Sequence, residues 1–338
     1  MRITQVEVAS SAELLHSRHL ILHSDSGLSG VGELGELDGL GGDGSAVSRL
    51  RALLIDREPF DVEAVWAARV DGGPCVDLPL ISAATSAMLD LAAKELQTRA
   101  YQLLGGPVHD TVRACAIGWA GGAAGETDVV AAANRTVASG YTMLRVEPFP
   151  TSSSDGPRAF ADAVALVQAI REGVPDHVDL VIAADVVSAD QVAEFIDAIA
   201  ATEPLWVEVQ AVEAAAAPQG ESAVVARAMG RRTGPEILRR LVIDNVADHL
   251  VLEVDRIGGM LEARKIAALA EVYYTGVITT CADGALPLRD ALCLAATLPN
   301  LSVAEVRPGF VSIEDGMLSL DRFPDASLTS SGFSGPGE

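Results

Sequence analysis

Two kinds of hydrophobic pattern divide the chain near residue 110. Before it, short alternating runs (ITQVEVAS, HLILHSD and GVGELGE) predict antiparallel strands within residues 1–33. Apolar residues at helical spacing then predict helices over residues 46–70 and 81–96. Strands followed by helices are typical of a small α+β domain, which we assign to residues 1–110.

Beyond residue 110, short apolar runs alternate with amphipathic helices. The runs predicted as strands are TVRACAIG, TMLRVEP, DLVIAAD, LWVEV, HLVLEV, GVITTC and LSVAEV. A further strand is expected within 223–228, before a helix over 233–241. Continuous apolar runs are typical of strands buried on both faces, and their alternation with helices predicts a parallel barrel or a doubly wound sheet. No GxGxxG follows a strand, which favours a (β/α)-barrel over residues 111–309.

Composition and charge limit the classes of molecule that the protein is expected to bind. The formal net charge of −23 should repel nucleic acid, and no run approaches the roughly 20 apolar residues of a membrane span. The N-terminus lacks an apolar signal core, so we expect a cytoplasmic protein with a small-molecule substrate. The four cysteines show no zinc-binding spacing and are expected to be reduced thiols; they are Cys75, Cys115, Cys281 and Cys293.

Several longer segments resemble one family in the right order. ATSAMLDLAAKELQTRAYQLLGG resembles the cap helix and barrel entry of the mandelate racemase/muconate lactonizing branch of the enolase superfamily. GVGE, GYTMLRVEPF, PLWVEV, IGGMLEARKIAALAEVYYTGV and DGALPLRDALCLAATLPNLSVAEV resemble later parts of the same branch, acid-sugar dehydratases included. The resemblance implies an α/β fold, a modified TIM barrel with an N-terminal α+β capping domain, and a homo-oligomer. Residues 310–338 are expected to return to the cap and end in a frayed tail.

The resemblance also implies a chemistry. Such enzymes abstract a proton α to a carboxylate and stabilise the enediolate with Mg²⁺. The acids that hold the metal lie at the ends of barrel strands three, four and five, and the bases lie on strands two, six and seven. In a barrel of this kind, these positions face the pocket formed by the loops that follow the strands.

The metal positions are largely replaced in this chain. Strand three has Ala183 at the ligand position and Asp185 two residues later, on the same face. Strand four keeps Glu208, whereas Met229 lies nearest to the acid expected on strand five. A single carboxylate should bind Mg²⁺ weakly, so we predict no metal cofactor.

The positions for bases have changed as well. Strand two carries Arg145 where lysines are usual, and arginine cannot serve as an ordinary base. The only lysines, Lys94 and Lys265, are expected on helices, and no histidine is predicted at a C-terminal strand end. Strands six to eight offer acids and a thiol instead, so the predicted pocket is rich in carboxyl groups, which raise one another's pKa. Its members are Arg145, Glu147, Asp185, Glu208, Glu253, Asp255, Cys281, Asp283 and Glu305.

Three hypotheses remain open from the sequence. The first is a metal-independent acid–base lyase, isomerase or cyclase acting on a small carboxylate or specialised metabolite. In it Asp185 and Glu253 exchange protons and Arg145 grips an anionic group, while the resemblance implies that Glu305 is an electrophilic or orienting acid. The second is a Mg²⁺-dependent acid-sugar dehydratase or racemase with relocated ligands. The third is a pseudoenzyme that acts as a binding partner.

The remaining pocket side chains also have structural interpretations. Those assigned to substrate contact in the first hypothesis are Glu147, Glu208, Asp255, Cys281 and Asp283. Arg145 could instead form a structural ion pair with Glu147 or Asp185, because a buried charge needs compensation. Cys281 fits a small core residue better than a nucleophile, since no histidine is placed to activate it.

Overall fold

The cap is a three-stranded antiparallel sheet with helices packed on it. The computed structural model describes residues 1–10, 18–34, 45–70, 78–123, 125–149, 156–184, 189–209, 226–229 and 233–320. The cap strands are β1 (Ile3–Ser10), β2 (Arg18–Ser24) and β3 (Ser29–Glu33), in the order β1-β2-β3. The cap helices are α1 (Ser45–Leu54), α2 (Val62–Val70), α3 (Leu78–Glu95) and α4 (Ala100–Leu103). The predicted strands and the predicted helix over 81–96 are confirmed.

The helical pattern over residues 46–70 is interrupted in the structure. Helix α1 ends at Leu54, Asp56 adopts a positive φ of 65°, and α2 starts only at Val62. Pro59 lies in the break, where its ring and missing N–H do not allow the helix to continue. The stretch of helical spacing over residues 46–70 therefore contains two helices with a turn between them.

Strand β3 lies directly on the long cap helix α3. A Cβ at Gly30 would stand 2.1 Å from the carbonyl oxygen of Ala87, and one at Gly32 would stand 2.1 Å from that of Ala83. Only glycine allows this approach of strand to helix, which explains the GVGE motif. The contact fixes the end of β3, whose last residue is Glu33.

Eight parallel strands close into the barrel. Each pairs with the next in the sequence, and β11 pairs with β4 to complete the ring. The strands are β4 (Thr111–Ala116), β5 (Met143–Val146), β6 (Asp179–Ala183), β7 (Trp206–Glu208), β8 (Ala226–Met229), β9 (His249–Glu253), β10 (Gly276–Thr280) and β11 (Leu301–Val306). All eight predicted strands are confirmed, and the chain has the predicted modified TIM barrel with an N-terminal cap.

Helices pack around the barrel, and side chains fill it. The helices are α5 (Glu126–Ala138), α6 (Gly156–Gly173), α7 (Ala189–Ile199), α8 (Pro235–Ile243), α9 (Met260–Val272) and α10 (Ala285–Ala296). A compact interior cluster takes one buried side chain from each of seven strands: Cys115, Met143, Val181, Trp206, Val251, Ile278 and Val303. The interior is therefore a packed core, and only the strand ends are available for a site. No helix in the described ranges is long and apolar enough to cross a membrane.

The segment after the last barrel strand differs from the prediction. We expected residues 310–338 to return to the cap, but β12 (Met317–Ser319) pairs antiparallel with Thr111–Arg113 at the start of β4. A hydrogen bond from the Leu320 N–H to the Asp110 carbonyl continues the pairing. The start of β4 extends beyond its partners β5 and β11, so its free backbone groups are satisfied by this returning strand. Residues 321–338 lie outside the described residues.

Helix α3 attaches the cap to the C-terminal end of the barrel. The Gly258 N–H, in the turn after β9, donates to Ser82 Oγ at 2.9 Å, and the Thr85 hydroxyl donates to the Gly258 carbonyl at 3.1 Å. On the barrel side, Arg289 of α10 donates to the Val31 carbonyl of β3 at 3.2 Å. These bonds place the end of β3 beside the mouth of the barrel.

Candidate functional site

The described members of the predicted pocket lie at the C-terminal ends of the barrel strands. Glu208 and Glu253 are the last residues of β7 and β9, and Glu305 is next to last in β11. The other described members are on β5 or directly follow β5, β9 and β10: Arg145, Glu147, Asp255, Cys281 and Asp283. Because the carboxyl ends of parallel strands meet at one edge, the structure brings these residues to a common mouth.

Arg145 is the centre of a buried ionic cluster. Its side chain is only 4% exposed, and its Nη2 and Nε lie 2.7 and 2.8 Å from Glu208 Oε2. Nη1 contacts the carboxylate of Glu147, and Nε lies 3.8 Å from Glu305 Oε1. The guanidinium is therefore engaged by carboxylates of the chain itself, as the interpretation of a structural ion pair with Glu147 anticipated.

On the other side of the mouth, acids are held in distinct ways. Glu253 is buried and forms an ion pair with Arg256, whose Nε lies 3.0 Å from Glu253 Oε1. Asp255 accepts the Ala282 N–H at 3.0 Å, which ties the end of β9 to the turn after β10. Burial, followed by the charge of Glu253, raises the pKa of Asp255 to about 6. Asp255 can therefore exchange a proton near neutral pH.

Glu33 of the cap joins this cluster, although sequence analysis did not select it. Its carboxylate lies against Gly284 in the turn after β10, where a Cβ would stand 2.7 Å from Glu33 Oε2. Burial raises the pKa of Glu33 to about 7, with smaller contributions from the charges of Asp255 and Asp290. The signal available in the sequence was the GVGE motif, which predicts a cap strand but not what its last residue faces.

Cys281 lies within reach of several of these acids. Burial, followed by the charges of Asp255, Glu305, Asp290 and Glu253, raises the pKa of the Cys281 thiol well above its ordinary value. A thiol held in its neutral form is a poor nucleophile. Cys281 also packs against the hydrophobic core, which favours its interpretation as a small apolar side chain.

Arg307 is a second residue of the mouth that sequence analysis did not select. It follows β11 and shares the face of Glu305 by strand alternation. Its Nε donates to Asp283 Oδ1 at 2.6 Å, and its side chain is 40% exposed. The guanidinium lies over Gly118, where a Cβ would stand 2.2 Å from Nη1 and where φ is +61°. Glycine at this position leaves room for the arginine at the rim.

Two predicted positions cannot be placed in the same way. Asp185, proposed as an acid/base partner of Glu253, lies outside the described residues, and so does any contact between Asp185 and Arg145. Met229 is the last residue of β8, one residue beyond the strand expected within 223–228. The role of Asp185 therefore stays a prediction from the sequence.

The five histidines that the structure describes lie away from the strand ends that form the mouth, and His16 lies outside the described residues. His249 starts β9 at the opposite end of the barrel, and His177 precedes β6. His109 precedes β4, while His19 and His23 are on the cap strand β2. Among the described residues, the expectation that no histidine base serves the mouth agrees with these positions.

Among the described residues, the side chains at the mouth do not form a donor set that fits Mg²⁺. In the part of the chain that the structure describes, no group of three or more His, Cys, Asp or Glu side chains is placed to share a metal ion. Glu208 is bonded to the guanidinium of Arg145, whose charge would repel a cation. Ala183 supplies no side-chain donor. Because Mg²⁺ prefers octahedral oxygen ligands with carboxylate anchors, these residues do not form its site.

The chain matches known proteins both by family model and by sequence. Residues 128–328 match the model of the enolase C-terminal domain-like family. D-gluconate dehydratase from Thermoproteus tenax is 29% identical over 269 residues, which are 76% of this chain but only 54% of that relative. D-galactonate dehydratase from Variovorax paradoxus is 28% identical over 286 residues, covering 81% of this chain and 73% of the relative.

Solved structures share the fold. The mandelate racemase/muconate lactonizing enzyme from Sulfitobacter sp. superimposes with a TM-score of 0.81 at 22% identity, covering 96% of this chain and 91% of the other. Its counterpart from Jannaschia sp. CCS1 gives a TM-score of 0.80 at 19% identity, covering 96% and 93%. The likeness extends over both the cap and the barrel.

Proposed function

The chain belongs to the enolase superfamily, in its mandelate racemase/muconate lactonizing branch, and from this membership we propose that it is a lyase that removes water from a small polyhydroxylated carboxylate. Relatives named as dehydratases of gluconate, galactonate and xylonate support this substrate class. They favour the hypothesis of an acid-sugar dehydratase over that of a lyase, isomerase or cyclase that acts on another class of substrate. Dehydration is proposed from the names of the relatives, and the acid and the base are assigned from residues of this chain.

The proposed reaction needs one base and one acid. A base takes the proton on the carbon next to the carboxylate, and an acid protonates the hydroxyl on the following carbon, which leaves as water. The resulting enol then tautomerises to a keto acid. Each step balances without an external oxidant or reductant.

The observation that carries the proposal is the pair formed by Glu33 and Asp255. Their raised pKa values, about 7 and about 6, give two carboxyl groups that can hold and release protons near neutrality. We assign the ionised Asp255 as the base and the protonated Glu33 as the acid. The charge of Asp255 contributes to the raised pKa of Glu33, which helps to keep Glu33 protonated while Asp255 is ionised.

Arg307 is proposed to bind the carboxylate of the substrate. A guanidinium can present two parallel N–H donors to a carboxylate, and this one is partly exposed at the rim. Asp283 holds its Nε, which orients the outer nitrogens. This role replaces the sequence-based assignment of Arg145, which is buried among Glu147, Glu208 and Glu305.

The test is turnover on a panel of aldonic acids. The purified full-length chain is incubated with gluconate, galactonate, xylonate and related acids, with EDTA or with added Mg²⁺ or Mn²⁺, and keto-acid formation is measured. Glu33→Gln and Asp255→Asn should each lower kcat at least 100-fold while the fold is retained. Asp244→Asn, at the end of α8 far from the mouth, is the matched control.

Each outcome of this assay bears on a hypothesis. Turnover that depends on Glu33 and Asp255 supports the proposal. No turnover of any acid in the panel, under any of the metal conditions, contradicts it and favours the non-catalytic alternative. Turnover that both variants retain would contradict the assigned roles.

A further inference from the structure

The guanidinium of Arg145 reaches across the barrel. In the ring of eight strands, β7 and β11 are four strands apart and thus opposite one another. Arg145 of β5 lies 2.7 Å from Glu208 of β7 and 3.8 Å from Glu305 of β11. A group within 4 Å of carboxylates on opposite strands lies close to the barrel axis, at the level of the strand ends.

The surroundings of this group are those of a cation site. The side chains of Glu208 and Glu305 are only 3% and 1% exposed, so both carboxylates need a positive partner inside the protein. Glu147 approaches the same guanidinium from the solvent side. Arginine stays protonated at any working pH, so its charge does not depend on a supply of metal.

We infer that Arg145 takes the place of a divalent cation at the mouth of the barrel, so that the folded protein binds neither Mg²⁺ nor Mn²⁺ between Glu208 and Glu305. The positive charge at this point is covalently part of the chain. It holds the two acids in position. Arg145 acts here as a positioning residue, because its side chain is buried among carboxylates.

The inference goes beyond the proposed dehydration, because it concerns the cation and not the substrate. It predicts that removing the guanidinium leaves an oxygen-rich cavity that a hard cation can enter. Arg145→Met removes the charge and keeps an unbranched side chain. Arg145→Lys keeps a cation in place and is the matched control.

The experiment is a titration of chelator-treated protein with Mn²⁺. Electron paramagnetic resonance measures the free Mn²⁺ at each step, and thermal unfolding measures the Tm. The wild-type protein should bind no stoichiometric Mn²⁺ up to millimolar concentration, and EDTA should leave its Tm unchanged. Arg145→Met should unfold at a lower temperature, bind one Mn²⁺ at least tenfold more tightly than the wild type, and regain part of its Tm. Adding Glu208→Gln to Arg145→Met should abolish that binding, and Arg145→Lys should bind none.

Two results would overturn the inference. One is stoichiometric, micromolar Mn²⁺ binding by the wild type that Glu208→Gln removes. The other is a folded Arg145→Met variant that gains no affinity for Mn²⁺. If Arg145→Met does not fold, the wild-type titration and Arg145→Lys decide alone. Turnover that requires metal, together with loss of metal binding in Glu208→Gln, would refute this inference and leave dehydration standing. Absence of both turnover and metal binding would contradict dehydration and leave this inference standing.

Discussion

Arg289 on the last barrel helix lies 3.4 Å from Asp90 on the cap helix α3, and the two side chains are 4% and 1% exposed. Asp90 also accepts a hydrogen bond from the Val31 N–H of β3 and forms an ion pair with Lys94, each at 2.8 Å. Arg289 in turn donates to Asp290 and to Ser86. The cap sheet, the cap helix and the barrel thus share one buried polar network, which fixes the position of Glu33 over the mouth.

Breaking this network should destabilise the protein strongly. Arg289→Met would leave Asp90 and Asp290 buried without their guanidinium partner, which costs about 3–5 kcal/mol of unfolding free energy. Urea unfolding followed by circular dichroism measures the change. Arg240→Met is the control, because the Arg240–Asp244 pair is 83% and 52% exposed and should contribute less than about 1 kcal/mol. Equal losses in the two variants would contradict the role of the network.

The raised pKa of Glu33 should make stability depend on pH in a known direction. Its pKa is about 7 in the folded protein and 4.5 ordinarily, so the folded state holds more protons between these values. The stability that the neutral carboxyl contributes is fully present below 4.5 and is lost as pH rises through 7. The advantage of Glu33→Gln over the wild type should therefore grow between pH 5.5 and pH 8.

The size of this effect follows from partial burial. Solvent at the partly exposed carboxyl reduces the change to about 1–2 kcal/mol. Urea unfolding of both proteins at the two pH values measures it, with Glu63→Gln, an exposed pair partner of Lys265, as control. A constant difference between Glu33→Gln and wild type across this range would show that Glu33 titrates normally.

Cys281 should be inert towards thiol reagents. Its thiol is kept neutral by burial and by the surrounding carboxyl groups, so thiolate attack on iodoacetamide is slow at pH 8. We expect Cys281 labelling in the native protein to be at least 100-fold slower than in urea, measured by peptide mass spectrometry. Cys281→Ala should keep kcat within about threefold, since no step uses the thiol. Rapid native labelling, or loss of turnover in Cys281→Ala, would refute this.

Much of the fold was predictable because most barrel strands are short apolar runs that alternate with amphipathic helices. The resemblance to the family assigned Glu208, Glu253 and Glu305 to the C-terminal ends of their strands, where the structure has them. Period-two alternation applied one step beyond Glu305 points to Arg307, so this residue was within reach of the sequence. The break between α1 and α2 was also signalled by Pro59.

What the sequence could not supply is the contact between distant parts of the chain. Glu33 becomes a member of the mouth only because the cap docks through Ser82 and Thr85 on the turn at Gly258. The contacts of Arg145 with Glu208 and Glu305, which lie on opposite strands, depend on closure of the barrel in the same way. No local sequence pattern specifies these contacts or the position of Glu33, because both result from packing between distant parts of the chain.

Arg307 offers a test of how the substrate is held. Arg307→Ala should raise KM about 10–100-fold with a smaller effect on kcat, because loss of a charged hydrogen-bonding partner costs about 1.5–3 kcal/mol of binding. Arg307→Lys keeps the charge but not the planar pair of donors, so its KM should lie between those of Arg307→Ala and wild type. Steady-state kinetics on the best aldonic acid measures all three proteins.

Gly118→Ala tests the same role without changing the charge. Its Cβ would stand 2.2 Å from Arg307 Nη1, so the guanidinium must move away from the rim over β4. The strained positive φ will also lower the Tm, and Gly122→Ala is the control because Gly122 has a similar φ of +78° and no neighbour within 4 Å of its Cβ. A KM raised in Gly118→Ala but not in Gly122→Ala supports carboxylate binding by Arg307. If Arg307→Ala lowered kcat and left KM unchanged, the residue would act on the chemical step, and its assignment as the carboxylate anchor would be wrong.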